Sequence, residues 1–384
     1  MGEALLERDV YCLLGLPFDA VDMATAVERV RESVTRREPC FISTPNLNFL
    51  IGSRSDTSFR DSVIGSDLSI ADGMPLVWAA RLLGIPIRQR VAGSGLFESL
   101  KVGGLTPLKV YFFGGREGVA EVAARALNAQ SSGMVCVGYE SPGFGSVEDL
   151  SKDESIARIN ASGADLLVVS LGAKKGQAWI ERNRRRISVP AVSHLGAVLN
   201  FTAGTVQRAP HWMQRTGLEW LWRIKEEPAL WRRYVGDGAG FLRLLFTRLV
   251  PFAWWIHRRR PTREALDAAT LEAREQRRTV IVLRGAWTQE NLDPLRRCLA
   301  TASAAKKDIR IDLADVTYLD SSFLGLLLVL YGLQKHSGKR LVCSPVSRDV
   351  RRVFEYGCSE FLLAPDDEGM AGTELDEEAT AVSG

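Results

Sequence analysis

A lone aspartate in the first third of the chain sits where chemistry could be done. Asp72 ends a short apolar run, Leu68-Ser69-Ile70-Ala71, and is followed by Gly73, Met74 and Pro75, which open a helix through Val77, Ala80 and Leu83. A carboxylate on such a rigid, partly buried perch suits a general base, which must be fixed beside the proton it removes. Capping of the following helix is the commoner use of the same pattern. Upstream, Cys40–Ser43 reads as a short buried strand ending at Thr44-Pro45-Asn46-Leu47-Asn48. Thr44 and Asn46 therefore stand where open α/β sheets present ligand groups. Downstream, Arg88, Arg90 and the Gly93-Ser94-Gly95 turn lead into a helix, an arrangement that suits phosphate.

A second concentration of chemistry lies between Gln207 and Tyr234. Trp212, Trp220, Trp222 and Trp231 sit among Arg208, Arg215, Arg223, Arg232 and Arg233. Tryptophan beside arginine fits a lipid headgroup boundary or another anionic surface; a surface helix pair with tryptophan inside and arginine solvated fits as well. The following stretch, Phe241–Ile256, comes nearest to a membrane-spanning run, but Arg243 and Arg248 interrupt it and Pro251 kinks it. Each arginine at mid-bilayer costs about 2.5–3.5 kcal/mol, so the segment is expected to lie in a membrane interface. Trp254, Trp255 and Arg258-Arg259-Arg260 supply an apolar face and a cationic rim. A buried core helix ending in a basic linker is the alternative.

The elements that position these groups alternate strand and helix. A helix begins at Asp19 or Thr25 and runs through Val34, and a second α/β unit opens at Leu108–Gly115. Gly114-Gly115 precedes a helix from Glu117 to Leu127 without matching GxGxxG or the Walker lysine pattern. A strand over 135–138 leads to the turn-rich loop with Gly143 and Phe144. Asp165–Leu171 reads as a strand buried on both faces, ending at Lys174-Lys175-Gly176-Gln177, and Val189–Leu195 as another. Past Arg263 a smaller α/β pattern begins, with strands at 279–283, 309–313 and 340–343 and helices at 289–300, 322–334 and 346–356.

At 384 residues the chain holds two or three domains. It is 46% hydrophobic and 25% charged with a net charge of +3, too small a surplus for a nucleic-acid-binding protein without a recognised binding fold. The acidic tail, 366–384, reads as disordered. Six scattered cysteines without CxxC spacing read as free thiols in a reducing compartment, and the N-terminus lacks the pattern of a signal peptide.

Taken together, TPNLN, IADGMP, QRVAGSG, LGAKKGQAWI and RAPHWMQRTGLEWLWRIKEEPALWRRY resemble the WecG/TagA/CpsF glycosyltransferase family over residues 10 to 240. The resemblance implies an inverting transfer of a sugar from a UDP-sugar to a lipid-diphosphate-linked saccharide, peripheral on the cytoplasmic face of the bacterial inner membrane, with no metal or other cofactor. It makes Asp72 the base, places Thr44 and Asn46 in the sugar pocket and sets Arg90 on the sugar or diphosphate. Gly73, Gly114, Gly115, Gly143, Phe144 and Gln177 become substrate-side positions, and Arg208, Arg223, Arg232 and Arg233 become candidates for holding the UDP or lipid diphosphate. Lys174-Lys175-Gly176-Gln177 stands where many members read PKQE, Asn200 replaces an acid, Gly95 replaces an aspartate, and Leu230 stands where a basic residue is usual. These departures bear on donor identity. The sequence has no Asp-x-Asp pair for a divalent cation, which leaves arginine to supply positive charge.

The C-terminal region, about 275–365, resembles a STAS (anti-sigma-factor antagonist) domain through Ile311-Asp312-Leu313 and Tyr318-Leu319-Asp320-Ser321-Ser322-Phe323-Leu324-Gly325. That resemblance makes Ser321 a candidate for phosphorylation by a partner kinase, with helix capping by Asp320-Ser321 as the alternative. The expected organisation is an α/β Rossmann-like core at 1–205, a helical membrane-binding appendage at 206–262 and a small α/β STAS domain at 275–365. A catalytically silent UDP-sugar sensor with STAS output is the competing function.

Overall fold

Six apolar runs form one parallel sheet in the spatial order Leu68–Ser69, Cys40–Ser43, Ala191–His194, Leu166–Ser170, Leu108–Gly114, Met134–Glu140. The computed structural model describes residues 2–102, 106–130, 133–210, 212–213, 217–275 and 277–364. The acidic tail and Arg215 lie outside the described residues. The chain divides into two compact units, one of residues 18–243 and the other of residues 1–17 with 244–384.

In the first unit both faces of the sheet are covered, so the strands are apolar on both sides, as the near-continuous run Leu166-Leu167-Val168-Val169 requires. One face packs Val30, Phe97, Leu127 and Leu199 from the helices Met23–Arg36, Gly93–Leu100, Val119–Gln130 and Gly196–Thr202. The other packs Ile159, Trp179 and Ile180 from Asp153–Ala161 and Ala173–Asn183. Trp179 is fully buried, stacks on Phe113 at 4.5 Å between centroids, and donates its indole N–H to Leu150 O at 2.8 Å. Burying an apolar side chain of this size contributes roughly 1.5–3 kcal/mol, so this pair anchors the second face. Ser43, Ser69, Ser170 and His194 all stand at the carboxyl ends of their strands.

The appendage is built onto this unit by specific contacts. Gly240 of the helix Trp231–Leu244 lies against Ile51, and Asp237 accepts from Asn48 Nδ2 at 3.2 Å. Gly217, at φ +79°, leaves room for Met74, whose side chain a Cβ would meet at 2.8 Å. Trp222 donates to Gln207 O at 3.1 Å. Trp212, Trp220, Trp231, Val235 and Leu242 remain exposed.

The second unit has a four-stranded sheet in the order Leu341–Val346, Ile309–Leu319, Thr279–Trp287, Thr270–Glu275, parallel except for the last pair. Its long helix, Ser321–His336, is buried along most of its length because two sources cover it. The sheet is one. The other is the N-terminus: the strand Val10–Leu13 passes so close that a Cβ on Gly325 would stand 2.3 Å from Val10 O. Arg296 fastens the same segment by donating to Leu6 O and Arg8 O at 2.7 and 2.6 Å.

Two expectations are corrected here. Residues 1–17 belong with the C-terminal unit and not with the 1–205 core, and the chain from Leu244 belongs there too. The helix Val250–Arg258 packs onto that unit through Leu249, Phe252, Ala253 and Trp255, with Trp255 stacked on Tyr318 at 4.8 Å. Its opposite face, with Phe246, Val250 and Trp254, stays exposed. The segment is thus a core helix on one side, as one alternative read from sequence had it, with an apolar face left outward on the other.

Gly325→Ala is expected to destabilise the second unit by about 1–3 kcal/mol, because the clash is with backbone that cannot rotate away. Denaturant unfolding and protease sensitivity of the N-terminal segment check this; an unchanged midpoint would refute the close packing of Val10.

Candidate active site

Asp72 is delivered by a short backbone ladder. Its N–H donates to Pro45 O at 3.0 Å, Ile70 N–H donates to Ser43 O at 3.0 Å, and Val91 N–H donates to Ala71 O at 3.0 Å. These bonds extend the pairing of Cys40–Ser43 with Leu68–Ser69 by a few residues and clamp the carboxylate between two chains. Ser69 N–H donates to Asp19 Oδ2 at 2.7 Å, and Arg29 neutralises that buried acid from 2.9 Å.

The carboxylate is gripped on both oxygens. Arg90 Nε donates to Oδ1 at 3.2 Å, and the backbone N–H of Gly93, first residue of the helix Gly93–Leu100, donates to Oδ2 at 3.2 Å. Asp72 does not cap the helix after it: Gly73 is the N-cap residue there, with no side-chain cap bond. Burial pushes the Asp72 carboxyl above its ordinary pKa; Arg90 pulls it back and Glu219 pushes it up again. Arg90 stays cationic, since Asp72 and Glu219 outweigh the burial that works against its charge.

Thr44 is buried beside this turn, its Oγ1 3.3 Å from where a Cβ on Gly93 would stand. Asn46 caps the helix Leu47–Gly52 by accepting Phe49 N–H at 3.3 Å. Arg208 Nη2 comes within 3.8 Å of a Cβ position on Gly95, and its Nε is buried without a hydrogen-bond partner among the described residues. A guanidinium with an unused donor beside a helix N-terminus is an anion site in waiting.

The remaining expected residues distribute as follows. Gly114 and Gly115 take φ of +111° and +80°, and a Cβ on them would strike Ser170 O at 2.4 Å and Leu199 Cδ2 at 2.4 Å. Only glycine lets the strand end turn so tightly over its neighbours. Ser141 donates to Gly114 O at 3.4 Å, bringing the loop with Gly143 and exposed Phe144 to this turn. Arg223 lies 5.4 Å over the Phe201 ring, while Arg232 and Arg233 are exposed beside Trp231 and Tyr234. Gln177 is a correction: it is buried, and its Nε2 donates to Ser43 Oγ at 3.1 Å, so the displaced glutamine is committed to the core. The space above Gly176 is taken by His194, whose Cδ2 would stand 2.2 Å from a Cβ there. Burial lowers the His194 pKa to about 4, leaving it neutral, with Nε2 unpartnered among the described residues.

Ser321, the phosphorylation candidate, is also corrected. Its side chain is buried and donates to Cys12 O at 2.7 Å, and Asp320 caps the helix by accepting from Ser322 and Phe323 N–H at 2.9 and 3.1 Å. The capping alternative describes what these residues do, and no kinase reaches that hydroxyl while the N-terminal strand is in place.

Sequence reading missed Glu219, whose Oε2 lies 2.6 Å from Arg90 Nη2. The available signal was its place in GLEWLW, an acid among tryptophans where arginine drew attention. Among the described residues no group of three or more His, Cys, Asp or Glu could hold a metal ion.

Residues 11–253 match the model of the Glycosyl transferase WecG/TagA/CpsF family, and residues 270–359 match a STAS domain of the Mlab type. An N-acetylglucosaminyldiphosphoundecaprenol N-acetyl-beta-D-mannosaminyltransferase of Bacillus spizizenii is 28% identical over 194 residues, covering 50% of this chain and 74% of the relative. A protein of the same name from Staphylococcus aureus is 25% identical over 224 residues, covering 58% and 85%. A solved structure, "crystal structure of SsGBP and GDP complex", aligns at 10% identity over 72% of this chain and 99% of the other; its TM-score of 0.19 is too low to inform the fold.

A carboxyl whose pKa rises on folding binds its proton more tightly in the native state. Stability therefore falls as pH climbs from the ordinary carboxylate range through the raised value. Asp72→Asn is expected to gain stability over the parent chain as pH rises from about 4 to about 8, in denaturant unfolding at each pH. A pH-independent difference would contradict a raised Asp72.

Proposed function

The chain belongs to the WecG/TagA/CpsF glycosyltransferase family, and from that premise we propose that it transfers a sugar, with inversion, from a UDP-sugar to a polyprenyl-diphosphate-linked saccharide at the cytoplasmic face of the inner membrane. The observation that carries the reading is Asp72, one partly buried carboxylate held by Arg90 and a helix N-terminus at the carboxyl end of the sheet. An inverting displacement needs one base on the acceptor side and positive charge on the leaving side. Asp72 takes the proton of the acceptor hydroxyl as that oxygen forms its bond to the anomeric carbon. The bond from that carbon to the UDP oxygen breaks, and the charge left on the diphosphate meets arginine.

Arg208, with its buried unpartnered Nε near Gly95, is the best-supported cation for that charge, ahead of the exposed Arg232 and Arg233. Arginine in this role supports a reaction without a divalent metal. The relatives' names favour an N-acetylhexosamine donor and a GlcNAc-diphospholipid acceptor, with UDP-N-acetylmannosamine first to be tried. Exposed Trp212, Trp220, Trp231 and Leu242, and separately Phe246, Val250 and Trp254, support peripheral attachment to the surface where the lipid acceptor resides. Pro228–Arg258 has the length and hydropathy to cross a bilayer, but Asp237 is buried against Asn48 and Trp255 against Tyr318, which favours lying in the interface.

The test is UDP release from a panel of UDP-sugars with a short-chain polyprenyl-diphosphate-GlcNAc acceptor in detergent. Acceptor-dependent release is expected, reduced about 10²–10⁴-fold by Asp72→Asn and insensitive to a chelator. Binding of UDP-sugar without turnover on any acceptor would favour the sensor reading instead. In flotation with anionic vesicles, Trp254→Ser is expected to weaken binding about tenfold, the loss for one large apolar side chain of roughly 1.5–3 kcal/mol; unchanged flotation would argue against that face meeting lipid.

A further inference from the structure

We propose that Glu219 is a positioning residue for the transfer. From the appendage helix Glu219–Glu226 it holds the guanidinium of Arg90 against Asp72, and so ties the reacting carboxylate to the seating of the appendage. The inference deepens the function proposed above and rests on Asp72 being the base.

The first observation is the division of one guanidinium between two acids. Arg90 Nε faces Asp72 at 3.2 Å while Nη2 faces Glu219 at 2.6 Å. Neither acid can leave without freeing a flexible side chain, because arginine loses little freedom per bond only when its fork is held on both sides. The second is shielding. The side chains of Arg90, Asp72 and Glu219 keep only 15%, 24% and 17% of their exposure, so their charges act on one another with little screening. The charges acting on Asp72 are Arg90 and Glu219; Arg208, from the irregular segment 207–210, comes near Gly95 on the neighbouring helix.

The third observation is the inverted character of the appendage helix. An acid in the first turn of a helix is ordinarily solvated, where it still favours the dipole. Here Glu219 turns inward to Arg90 while the next two residues, Trp220 and Leu221, are each 43% exposed. The charge faces the protein and the apolar side chains face out.

Glu219→Gln tests this, since it keeps the shape of the side chain while removing the charge. Loss of a nearby negative charge lowers the proton affinity of Asp72. The acid limb of the kcat–pH profile should therefore move to lower pH by about half to one unit. The weaker base should lower the plateau about two- to threefold with the donor KM within about twofold. Superimposable profiles, or a lower plateau with an unmoved limb, would overturn the proposal, the latter because a merely structural role does not move a titration. Absence of turnover by the parent chain would instead sink the transferase reading. In that case infrared titration of the carboxyl signal lost in Asp72→Asn, followed in the apo protein, still decides: a lower midpoint in Glu219→Gln supports the positioning role, and an unchanged one refutes it.

Discussion

A guanidinium withdrawn from water must keep carboxylates beside it, since an unpaired buried charge costs several kcal/mol. That constraint organises the first unit. Arg90 lies between Asp72, which the sheet delivers, and Glu219, which the appendage delivers. The cluster sets two acids against one cation, so burial and Glu219 keep the proton affinity of Asp72 above its ordinary value. The backbone ladder from Ser43 to Val91 exists around this cluster: it leaves Asp72 no freedom to follow Arg90 elsewhere.

The appendage reads differently once its contacts are known. Two of its acids turn to the protein, Asp237 to Asn48 and Glu219 to Arg90, while Trp220 and Trp231 are left outside. A helix that buries acids and exposes tryptophan is suited to an apolar neighbour that the isolated chain does not supply.

The C-terminal unit is closed over by its own polypeptide. The strand Val10–Leu13 covers the start of the helix Ser321–His336, and the chain returning at Leu244 brings Trp255 onto Tyr318. Ser321 thereby becomes an internal donor to Cys12 O. The acidic surroundings of that helix start, with buried Asp320 at its cap, further disfavour a phosphate there while the strand is seated.

Much of the fold was legible because its signals are local. The run Cys40–Ser43 is a strand with those bounds, and Leu166–Ser170, Ala191–His194 and Leu108–Gly114 lie within a residue or two of the apolar runs that announced them. Thr44, Asp72 and the Gly93 turn were each legible as ligand-side positions from local pattern, and the family resemblance grouped them. What the sequence could not carry were pairings across long separations. Val10 meets Gly325, and Arg90 meets Glu219, with nothing in the spacing of either pair to announce them. Nor could spacing tell that Gln177 turns to Ser43 while His194 fills the room over Gly176. The sequence by itself determined most of the strands and helices of the two sheets and the perch on which Asp72 sits, because periodicity and turn chemistry act over a few residues. Tertiary structure alone decided which charges surround that carboxylate and which serine is sealed, because burial and Coulomb interactions depend on distance in space and not along the chain.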